Sequence, residues 1–370
     1  MKRRTFSESQ RIVLKIGSSS LTGTHGAGLD GTAVEKLVAI VADLRAKGKE
    51  VVVVSSGAIA AGLAPLGLHS RPKDLATQQA AASVGQGLLI HRYTEAFGAK
   101  GITASQVLLT IEDIVRRSHY QNAQRTLFRL LQLGVVPVIN ENDSVGTQEI
   151  RFGDNDRLAA LVSHLIGADL LVLITDIDAL YDRDPSEPNS TPVREVKDIR
   201  DLDEKSFGGA GSEVGSGGMV TKIEAARIST EAGIPMLLVA LSDISSAVDG
   251  GEVGTYFVAA DARKPSRLLW LAHAATPRGT LILDNGAVIA LRERGVSLLP
   301  AGVTAVTGDF SAGDTVDLVS ESGEVIARGL VGFDSDEIPV MLGRSTKDLA
   351  RELGPEYERE LVHRDDLVLL

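Results

Sequence analysis

Two clusters of acidic and amide side chains lie close together in the segment VINENDSVGTQEIRFGDND. The first runs from Asn140 to Asp143 and directly follows an apolar stretch, and the second runs from Asp154 to Asp156. Carboxylate and amide groups in such clusters can hold a cation, bind a polar substrate or simply form turns. The residue types alone leave these three interpretations open.

In the segment VLKIGSSSL, Lys15 precedes Gly17 and three serines. A glycine lets the backbone approach an anion, hydroxyl and amide groups donate hydrogen bonds to it, and the lysine adds positive charge. In the segment VVVVSSGAIAAG, Ser55, Ser56 and Gly57 likewise end an apolar strand and begin a helix. Both segments also have ordinary explanations: Lys15 as a solvated strand residue, and the serines as turn or helix-capping residues.

The segment GSEVGSGGMVTKIEAA is rich in glycine and places Lys222 in the first turn of the following helix. A cation there opposes the helix dipole and destabilises the helix unless an anion lies nearby. A nucleotide phosphate would supply that anion, and a broken local rule often marks a functional site. The alternative is a flexible linker before a helix. No glycine–lysine–Ser/Thr run of a P-loop occurs in the chain.

The segment LLVLITDIDALY ends a strongly apolar run with Thr175 and Asp176. The end of such a buried strand can hold the base and ribose of a nucleotide, or a metal ion. Aspartate also favours turns, so a purely structural role is the competing interpretation.

Regular elements must position these candidates, and apolar patterning predicts them. From residue 11 to about 258, short β-branched runs alternate with segments that carry apolar residues at three- and four-residue spacing. The predicted strands are 11–16, 51–55, 103–109, 135–139, 169–175 and 235–239, and the predicted helices are 32–47, 74–97, 119–133, 156–166 and 219–232. The pattern predicts an α/β fold: a mostly parallel sheet with helices on both faces. Each candidate falls at the carboxyl end of a strand, where such sheets bind ligands.

The pattern changes after about residue 260, where short strands and glycine turns replace the alternation. We predict a flexible tail over 1–10, the α/β domain over 11–260, a linker over 261–277 and a small all-β barrel over 278–360. Within the last domain, ESGEV predicts a hairpin turn, and residues 345–353 predict a helix.

Composition restricts the class of protein. The net charge of −11 argues against general binding to nucleic acid or to an anionic membrane surface. The absence of cysteine excludes disulfides, thiol catalysis and cysteine-ligated zinc. No apolar run approaches membrane-spanning length, and the basic start leads into a strand rather than a signal-type region. We therefore predict a cytoplasmic protein that does not bind membranes.

Six motifs in this order resemble the amino-acid kinase family: KIGSSSL, VVSSGAIAAG, VPVINENDSV, GDND, LLVLITDIDALY and GSGGMVTKIEAA. They resemble the branch that phosphorylates the γ-carboxylate of L-glutamate, at the start of proline biosynthesis. The resemblance covers nearly the whole chain, and the carboxyl-terminal segment resembles a PUA domain. It implies an amino-acid kinase fold for 11–260, with ATP as co-substrate and L-glutamyl 5-phosphate and ADP as products.

The resemblance also implies residue roles. Lys15 and Lys222 match the two phosphate-handling lysines, Asp156 matches the acid that holds both, and Asp154 lies on the same loop. The positions implied for glutamate are Ser56, Gly57, Asn140, Asp143 and Asn155, with Asp143 on the α-ammonium group. The positions implied for the nucleotide are Thr175, Asp176, Ser216, Gly217, Gly218, Met219, Val220, Thr221 and Lys222.

The expected co-substrate and cofactor are ATP and Mg²⁺, and no residue is assigned as a metal ligand. A homo-oligomer and hand-off of the labile product to glutamyl-phosphate reductase are further expectations. Two alternatives remain at this point: a sister kinase acting on aspartate, acetylglutamate or UMP, and an RNA-binding PUA protein. RNA binding is disfavoured because residues 278–344 contain five basic and ten acidic side chains.

Overall fold

The computed structural model describes residues 6–22, 28–115, 117–145, 155–183, 187, 189–202, 218–260, 271 and 277–370. The chain forms two compact units, which divide between residues 263 and 264. Each unit has its own hydrophobic core, as expected for a chain of 370 residues. Within the ranges just given, no helix combines the length and hydropathy needed to cross a bilayer.

The first unit is built on a sheet to which the described residues contribute eight strands. In spatial order they are β3 (Ala104–Leu109), β4 (Val136–Glu141), β2 (Glu50–Ser55), β1 (Arg11–Ile16), β5 (Leu170–Thr175), β9 (Met236–Ala240), β10 (Thr255–Phe257) and β8 (Glu195–Val196). Neighbouring strands are parallel except for the antiparallel pair β9 and β10. Two short strands, β6 (Leu180–Tyr181) and β7 (Pro192–Val193), pair separately. The prediction of a mostly parallel sheet is confirmed, and each predicted strand agrees within two residues.

Helices connect these strands in the alternation that the sequence predicts. Those of the described first unit are α1 (Ser18–Leu21), α2 (Gly31–Ala46), α3 (Ala58–Leu63), α4 (Leu75–Gly98), α5 (Ile111–Val115), α6 (Arg117–Gln132), α7 (Asn155–Leu165), α8 (Met219–Glu231) and α9 (Ile244–Val248), with 3₁₀ turns at Ala64–Leu66 and Ile199–Asp201. The five predicted helices correspond to α2, α4, α6, α7 and α8, and their ends agree within two residues.

Strand β1 shows why its sequence is almost continuously apolar. Ile12 and Leu14 belong to the core cluster that also contains side chains of α2 and α4. Side chains alternate along a strand, so Val13 and Lys15 lie on the opposite face, where α7 packs, and both are buried. A strand covered on both faces leaves Lys15 as a cation inside the protein rather than on its surface.

The register brings the carboxyl ends of the central strands level with one another. Ile16 at the end of β1 pairs with Ser55 of β2 and with Ile174 of β5. Val54 of β2 pairs with Ile139 of β4. The polar residues that follow these strands therefore share one edge of the sheet, which is where α/β sheets bind ligands.

Helices α3 and α4 cross at very short range behind this edge. A Cβ atom added at Gly62 of α3 would overlap the carbonyl oxygen of Ala81 in α4. A Cβ atom added at Gly85 of α4 would overlap the carbonyl oxygen of Ala58 in the first turn of α3. Two glycines thus allow α4 to lie directly against the beginning of α3.

The second unit contains a five-stranded sheet. In spatial order its strands are β12 (Val303–Gly308), β11 (Gly279–Leu283), β13 (Thr315–Ser320), β14 (Val325–Val331) and β15 (Val362–Leu369), accompanied by helices α10 (Asn285–Arg294) and α11 (Thr346–Leu353) and 3₁₀ turns at Pro300–Gly302, Ile338–Val340 and Pro355–Tyr357. Strands β11 and β13 are parallel, and the other pairs are antiparallel. The predicted ESGEV turn joins β13 to β14, and the helix predicted at 345–353 is α11.

Two elements of this unit were not predicted: β15, which lies beyond the predicted domain end at residue 360, and helix α10. The beginning of α10, Asp284–Asn285–Gly286, has the composition of a hairpin turn. In the structure, Asp284 instead caps a helix and accepts a hydrogen bond from the Ala287 amide at 2.7 Å. Gly295, with a φ of 57°, ends that helix. The same residue types serve both structures, and the helix-forming run that follows decides between them.

Candidate active site

Three charged side chains from three elements meet at the carboxyl edge of the large sheet. Lys15 comes from β1, Asp156 from the first turn of α7, and Lys222 from the first turn of α8. Lys15 Nζ lies 2.5 Å from Asp156 Oδ1, and Lys222 Nζ lies 3.3 Å from Asp156 Oδ2. One carboxylate therefore bridges two lysines that are far apart in sequence. We call these residues the lysine–aspartate cluster.

Burial and charge act in opposite directions on the pKa of Asp156. The residue is 2% exposed, and burial by itself would raise the pKa of its carboxyl group. The charges of Lys15 and Lys222 more than offset that effect and lower the pKa to about 2. Asp156 is therefore ionised at neutral pH and counteracts the repulsion between the two lysines.

The dipoles of α7 and α8 act differently on the charged residues of the cluster. An acid in the first turn of α7 agrees with the helix dipole, whereas a lysine in the first turn of α8 opposes it. Asp156 lies beside Lys222 and also accepts a hydrogen bond from Thr221 Oγ1 at 2.9 Å. Gly218, the N-cap of α8, has no side chain to cap the helix. The amide groups of this turn thus face no competing side-chain cap.

A second ion pair joins α7 and α8 with the opposite polarity. Arg157 follows Asp156, Glu224 lies two residues after Lys222, and their side chains form an ion pair. These side chains are 25% and 31% exposed, so solvent screens them far more than the lysine–aspartate cluster. The two helices are therefore linked by one buried and one partly exposed pair.

An amide network lies at the end of β4. Asn140 Nδ2 donates to Gln86 Oε1 at 2.6 Å, and Asn140 Oδ1 accepts from Asn155 Nδ2 at 3.1 Å. The backbone amide of Glu141 donates to Asn140 Oδ1 at 2.9 Å and to Asn155 Oδ1 at 3.2 Å. The structure thus brings together one residue from each of the two sequence clusters. Because Asn155 directly precedes Asp156, this network adjoins the lysine–aspartate cluster.

Asp143 has a different environment. The residue is 7% exposed, and none of the residues that the structure describes donates a hydrogen bond to its Oδ1. Burial raises the pKa of Asp143 to about 6, and the charge of Arg71 limits the increase. A buried carboxylate oxygen that has no donor among these residues is suited to accept a hydrogen bond from a cationic ligand group.

The segment after β2 lies at the same edge of the sheet as Lys15, because β1 and β2 pair in register up to Ile16 and Ser55. The Ser56 amide donates to the Ile16 carbonyl at 3.1 Å, and the Ser56 side chain is buried. Ser55 Oγ lies 2.9 Å from the hydroxyl of Tyr93, which α4 contributes. Gly57, at a φ of 104°, is the N-cap of α3 and occupies a conformation that favours glycine.

The residues predicted to bind the nucleotide are described in part. Thr175 is buried at the end of β5, and its hydroxyl donates to the exposed Asp176 at 2.9 Å. Met219 and Val220 are the first residues of α8, directly after Gly218. The predicted positions Asp154, Ser216 and Gly217 lie outside the residues that the structure describes. The part of the chain that it does describe contains no group of three His, Cys, Asp or Glu side chains able to hold a metal ion.

Sequence analysis did not identify Gln86, Arg71 or Tyr93. Gln86 and Tyr93 lie within the long helix α4, where single polar residues form no motif. Arg71 lies in the segment between α3 and α4. The available signal was the seven-residue spacing of Gln86 and Tyr93, which places both side chains on the same face of a helix.

Comparisons with known proteins identify the family of the chain. Residues 10–240 match the model of the amino acid kinase family, and residues 279–353 match the PUA domain. The chain belongs to the amino acid kinase family. It is 58% identical to a protein of Streptomyces coelicolor named "Glutamate 5-kinase", over 100% of this chain and 98% of the relative. It is 60% identical to a "Glutamate 5-kinase" of Salinispora arenicola, over 100% of both chains.

Proposed function

We propose that this chain transfers the γ-phosphoryl group of ATP to the γ-carboxylate of L-glutamate, the reaction of glutamate 5-kinase and the start of proline biosynthesis. The observation that carries the proposal is the full-length identity of 58–60% with relatives of that name. The buried lysine–aspartate cluster supports it, because this arrangement concentrates positive charge where a strand end and a helix N-terminus meet.

The reaction requires positive charge and correct positioning of the substrates, and it does not require a general base. The γ-carboxylate of glutamate is already ionised at neutral pH, so no proton has to be removed. One of its oxygens bonds to the γ-phosphorus while the bond to the β,γ-bridging oxygen breaks, which yields glutamyl 5-phosphate and ADP. The obstacle is repulsion between a carboxylate and a polyphosphate. Lys15 and Lys222 reduce it, and Asp156 keeps both lysines in place.

Asp156 is unsuited to act as a general base. Its pKa is about 2, and its two oxygens are committed to Lys15, Lys222 and Thr221. Its role in this proposal is to position the two lysines. Asp154 remains a further predicted contributor outside the described residues.

The substrate pocket combines an acceptor with donors. Asp143 provides the buried carboxylate for the α-ammonium group, since no described residue donates to its Oδ1. Ser56 and Gly57 follow β2, Asn140 lies near the end of β4, and Asn155 begins α7. In this proposal they supply hydroxyl, amide and backbone groups for the carboxylates. A zwitterionic amino acid needs both kinds of partner.

The nucleotide is proposed to bind at the end of β5 and at the beginning of α8, where the predicted residues Thr175, Asp176 and Gly218–Lys222 lie. Mg²⁺ accompanies ATP in this proposal as an ion carried by phosphate oxygens and water. The described residues offer no cluster of three acidic or histidine ligands, and no catalytic step is assigned to the metal.

We assign a separate role to each of the two domains predicted from the sequence. Residues 11–260 carry the kinase chemistry. The PUA-like domain, predicted over 278–360 and extended in the structure by β15 to Leu369, does not bind RNA in this proposal, because residues 278–344 contain ten acidic and five basic side chains. A cytoplasmic location, a homo-oligomeric state and hand-off of the product to glutamyl-phosphate reductase remain predictions. The last rests on chemistry, because an acyl phosphate hydrolyses readily in water.

The decisive experiment is an ADP-release assay with L-glutamate, L-aspartate, N-acetylglutamate and UMP as acceptors. We expect turnover with glutamate and little above background with the others. A higher kcat/KM with aspartate, acetylglutamate or UMP would replace the proposed substrate by that of a sister kinase. The chain without acceptor provides the background rate of ATP hydrolysis.

A further inference from the structure

Helix α4 contacts residues of the proposed glutamate pocket and of the strand beside it. Two of its polar side chains, Gln86 and Tyr93, reach the carboxyl ends of neighbouring strands. Gln86 Oε1 accepts from Asn140 Nδ2 at the end of β4, and the Tyr93 hydroxyl lies 2.9 Å from Ser55 Oγ at the end of β2. Residues seven apart share one helix face, so a single face of α4 supports two strand ends.

The close crossing of α3 and α4 makes this contact possible. Gly85 directly precedes Gln86, and its missing side chain lets α4 approach the first turn of α3. That turn begins at Gly57, within the segment predicted to bind glutamate. Gln86 is therefore held beside the pocket by the packing of two helices rather than by a loop.

One backbone amide determines the orientation of the whole amide network. The N–H of Glu141 is a donor only, so the group of Asn140 that faces it at 2.9 Å must be the oxygen. Asn140 must then present its NH₂ group to Gln86, and Gln86 must present its oxygen in return. The same amide faces Asn155 Oδ1, which directs the Asn155 NH₂ group to Asn140 Oδ1.

Gln86 is thus the acceptor that completes this orientation. Asn140 is 1% exposed, so an NH₂ group that lost its acceptor could not turn to water instead. Rotating the amide would bring its NH₂ group against the Glu141 N–H, which is also unfavourable. Removing the Gln86 oxygen therefore disturbs Asn140 and, through it, Asn155.

We propose that Gln86 is a positioning residue for the amino-acid substrate, which it affects by orienting the amides of Asn140 and Asn155. This inference rests on the proposed function of the pocket. Gln86 contacts the amide network at Asn140, whereas the member of the network next to Asp156 in the chain is Asn155. The influence of Gln86 should therefore fall on glutamate binding rather than on phosphoryl transfer.

The test is Gln86→Leu, which keeps the size of the side chain and removes the acceptor. We expect KM for glutamate to rise roughly tenfold, as when a buried donor loses its partner, while kcat and KM for ATP stay within about twofold. Gln132→Leu, at an exposed position of α6, is the matched control and should leave all three constants unchanged. Gln86→Met serves as the second variant if the leucine variant does not fold, as judged by its thermal transition.

A double-mutant cycle with Asn140→Ala separates positioning from general loosening of the helix. If Gln86 acts through Asn140, adding Gln86→Leu to Asn140→Ala should change KM for glutamate by less than about twofold. An unchanged KM in the single variant, a parallel rise in KM for ATP, or additive effects in the double variant would each overturn the inference. A wild-type chain without glutamate turnover would instead refute the proposed function, so the two failures are distinguishable.

Discussion

Two buried aspartates of one pocket, Asp156 and Asp143, have pKa values displaced in opposite directions. They are 2% and 7% exposed, so burial raises the pKa of both carboxyl groups. Two lysines in direct contact lower the pKa of Asp156 to about 2, whereas burial raises the pKa of Asp143 to about 6 against the opposing charge of Arg71. Partners rather than depth decide the protonation state.

The difference separates two roles for an acid in one site. Asp156 has its partners within the protein and completes a preformed charge arrangement. Asp143 has an oxygen with no donor among the described residues, and the proposed substrate supplies the missing ammonium group.

Removing a lysine from the cluster should have the largest effect. For Lys222→Ala we expect kcat to fall roughly 10³- to 10⁴-fold, because a charge that stabilises the transferred phosphoryl group is lost. KM for glutamate should change little. The measurement is ADP release at saturating substrates, with Lys36→Ala on the exposed face of α2 as control. Near-normal turnover of Lys222→Ala would refute the two-lysine arrangement.

Asp156→Asn should be the next most damaging change. Loss of the carboxylate leaves Lys15 and Lys222 to repel each other, and displaced catalytic groups lower turnover by roughly 10²- to 10³-fold. The same assay measures kcat, and Asp43→Asn at an exposed position of α2 controls for the change of residue type. Retention of more than a tenth of the wild-type kcat would contradict the bridging role.

Asp143→Asn should act on binding instead of turnover. We expect KM for glutamate to rise roughly 10²-fold, because an amide cannot provide the charge that pairs with an ammonium group, with kcat at saturation within about fivefold. Initial rates over a wide glutamate range measure both constants. A fall in kcat comparable to that of Asp156→Asn would show that the two acids share one role.

The two aspartates should also contribute oppositely to stability as pH changes. The folded-state pKa of Asp143 is about 6, above its ordinary value of 3.8, so its ionisation destabilises the fold as pH rises from about 4 to 6, by up to ~3 kcal/mol. The folded-state pKa of Asp156 is about 2, so its stabilising contribution is present above about pH 4 and is lost as pH falls towards 2.

Urea unfolding of the wild type and of each asparagine variant from pH 3 to pH 8 tests this sign difference. Asp143→Asn should gain stability relative to the wild type above about pH 6 and none near pH 4. Asp156→Asn should lose stability at neutral pH. Parallel pH profiles for the two variants would contradict the assigned environments.

The smallest effect is expected at the partly exposed pair between α7 and α8. Glu224→Gln should lower kcat by less than about threefold and the free energy of unfolding by less than ~1 kcal/mol, because solvent screens this pair. Turnover and urea unfolding measure the two quantities. A loss as large as that of Asp156→Asn would mean that Arg157 and Glu224, rather than burial of the cluster, hold α7 against α8.

Much of this site was predictable because its parts lie where strands end. The apolar runs before Lys15, Ser56, Asn140 and Thr175 define their strands, and a parallel sheet brings those ends to one edge. The opposing dipole at Lys222 predicted a nucleotide phosphate as the compensating anion, and the structure places the carboxylate of Asp156 beside that lysine.

Other features depend on tertiary contacts that leave no local pattern. Gln86 is one of three glutamines in a helix rich in alanine and glycine, and its contact with Asn140 distinguishes it from the other two. The charge of Arg71 acts on Asp143 from a separate segment. Helix α10 was missed because Asp284–Gly286 suits a hairpin as well as a helix cap.

The glycine crossing of α3 and α4 has a consequence for redesigning substrate choice. Variants at Gln86, Asn140 or Asp143 could be screened for binding of other amino acids. Such a screen requires that the backbone of α3 and α4 keeps its position. Any side chain at Gly62 or Gly85 would push the two helices apart and move that backbone. These two glycines are therefore positions to hold constant.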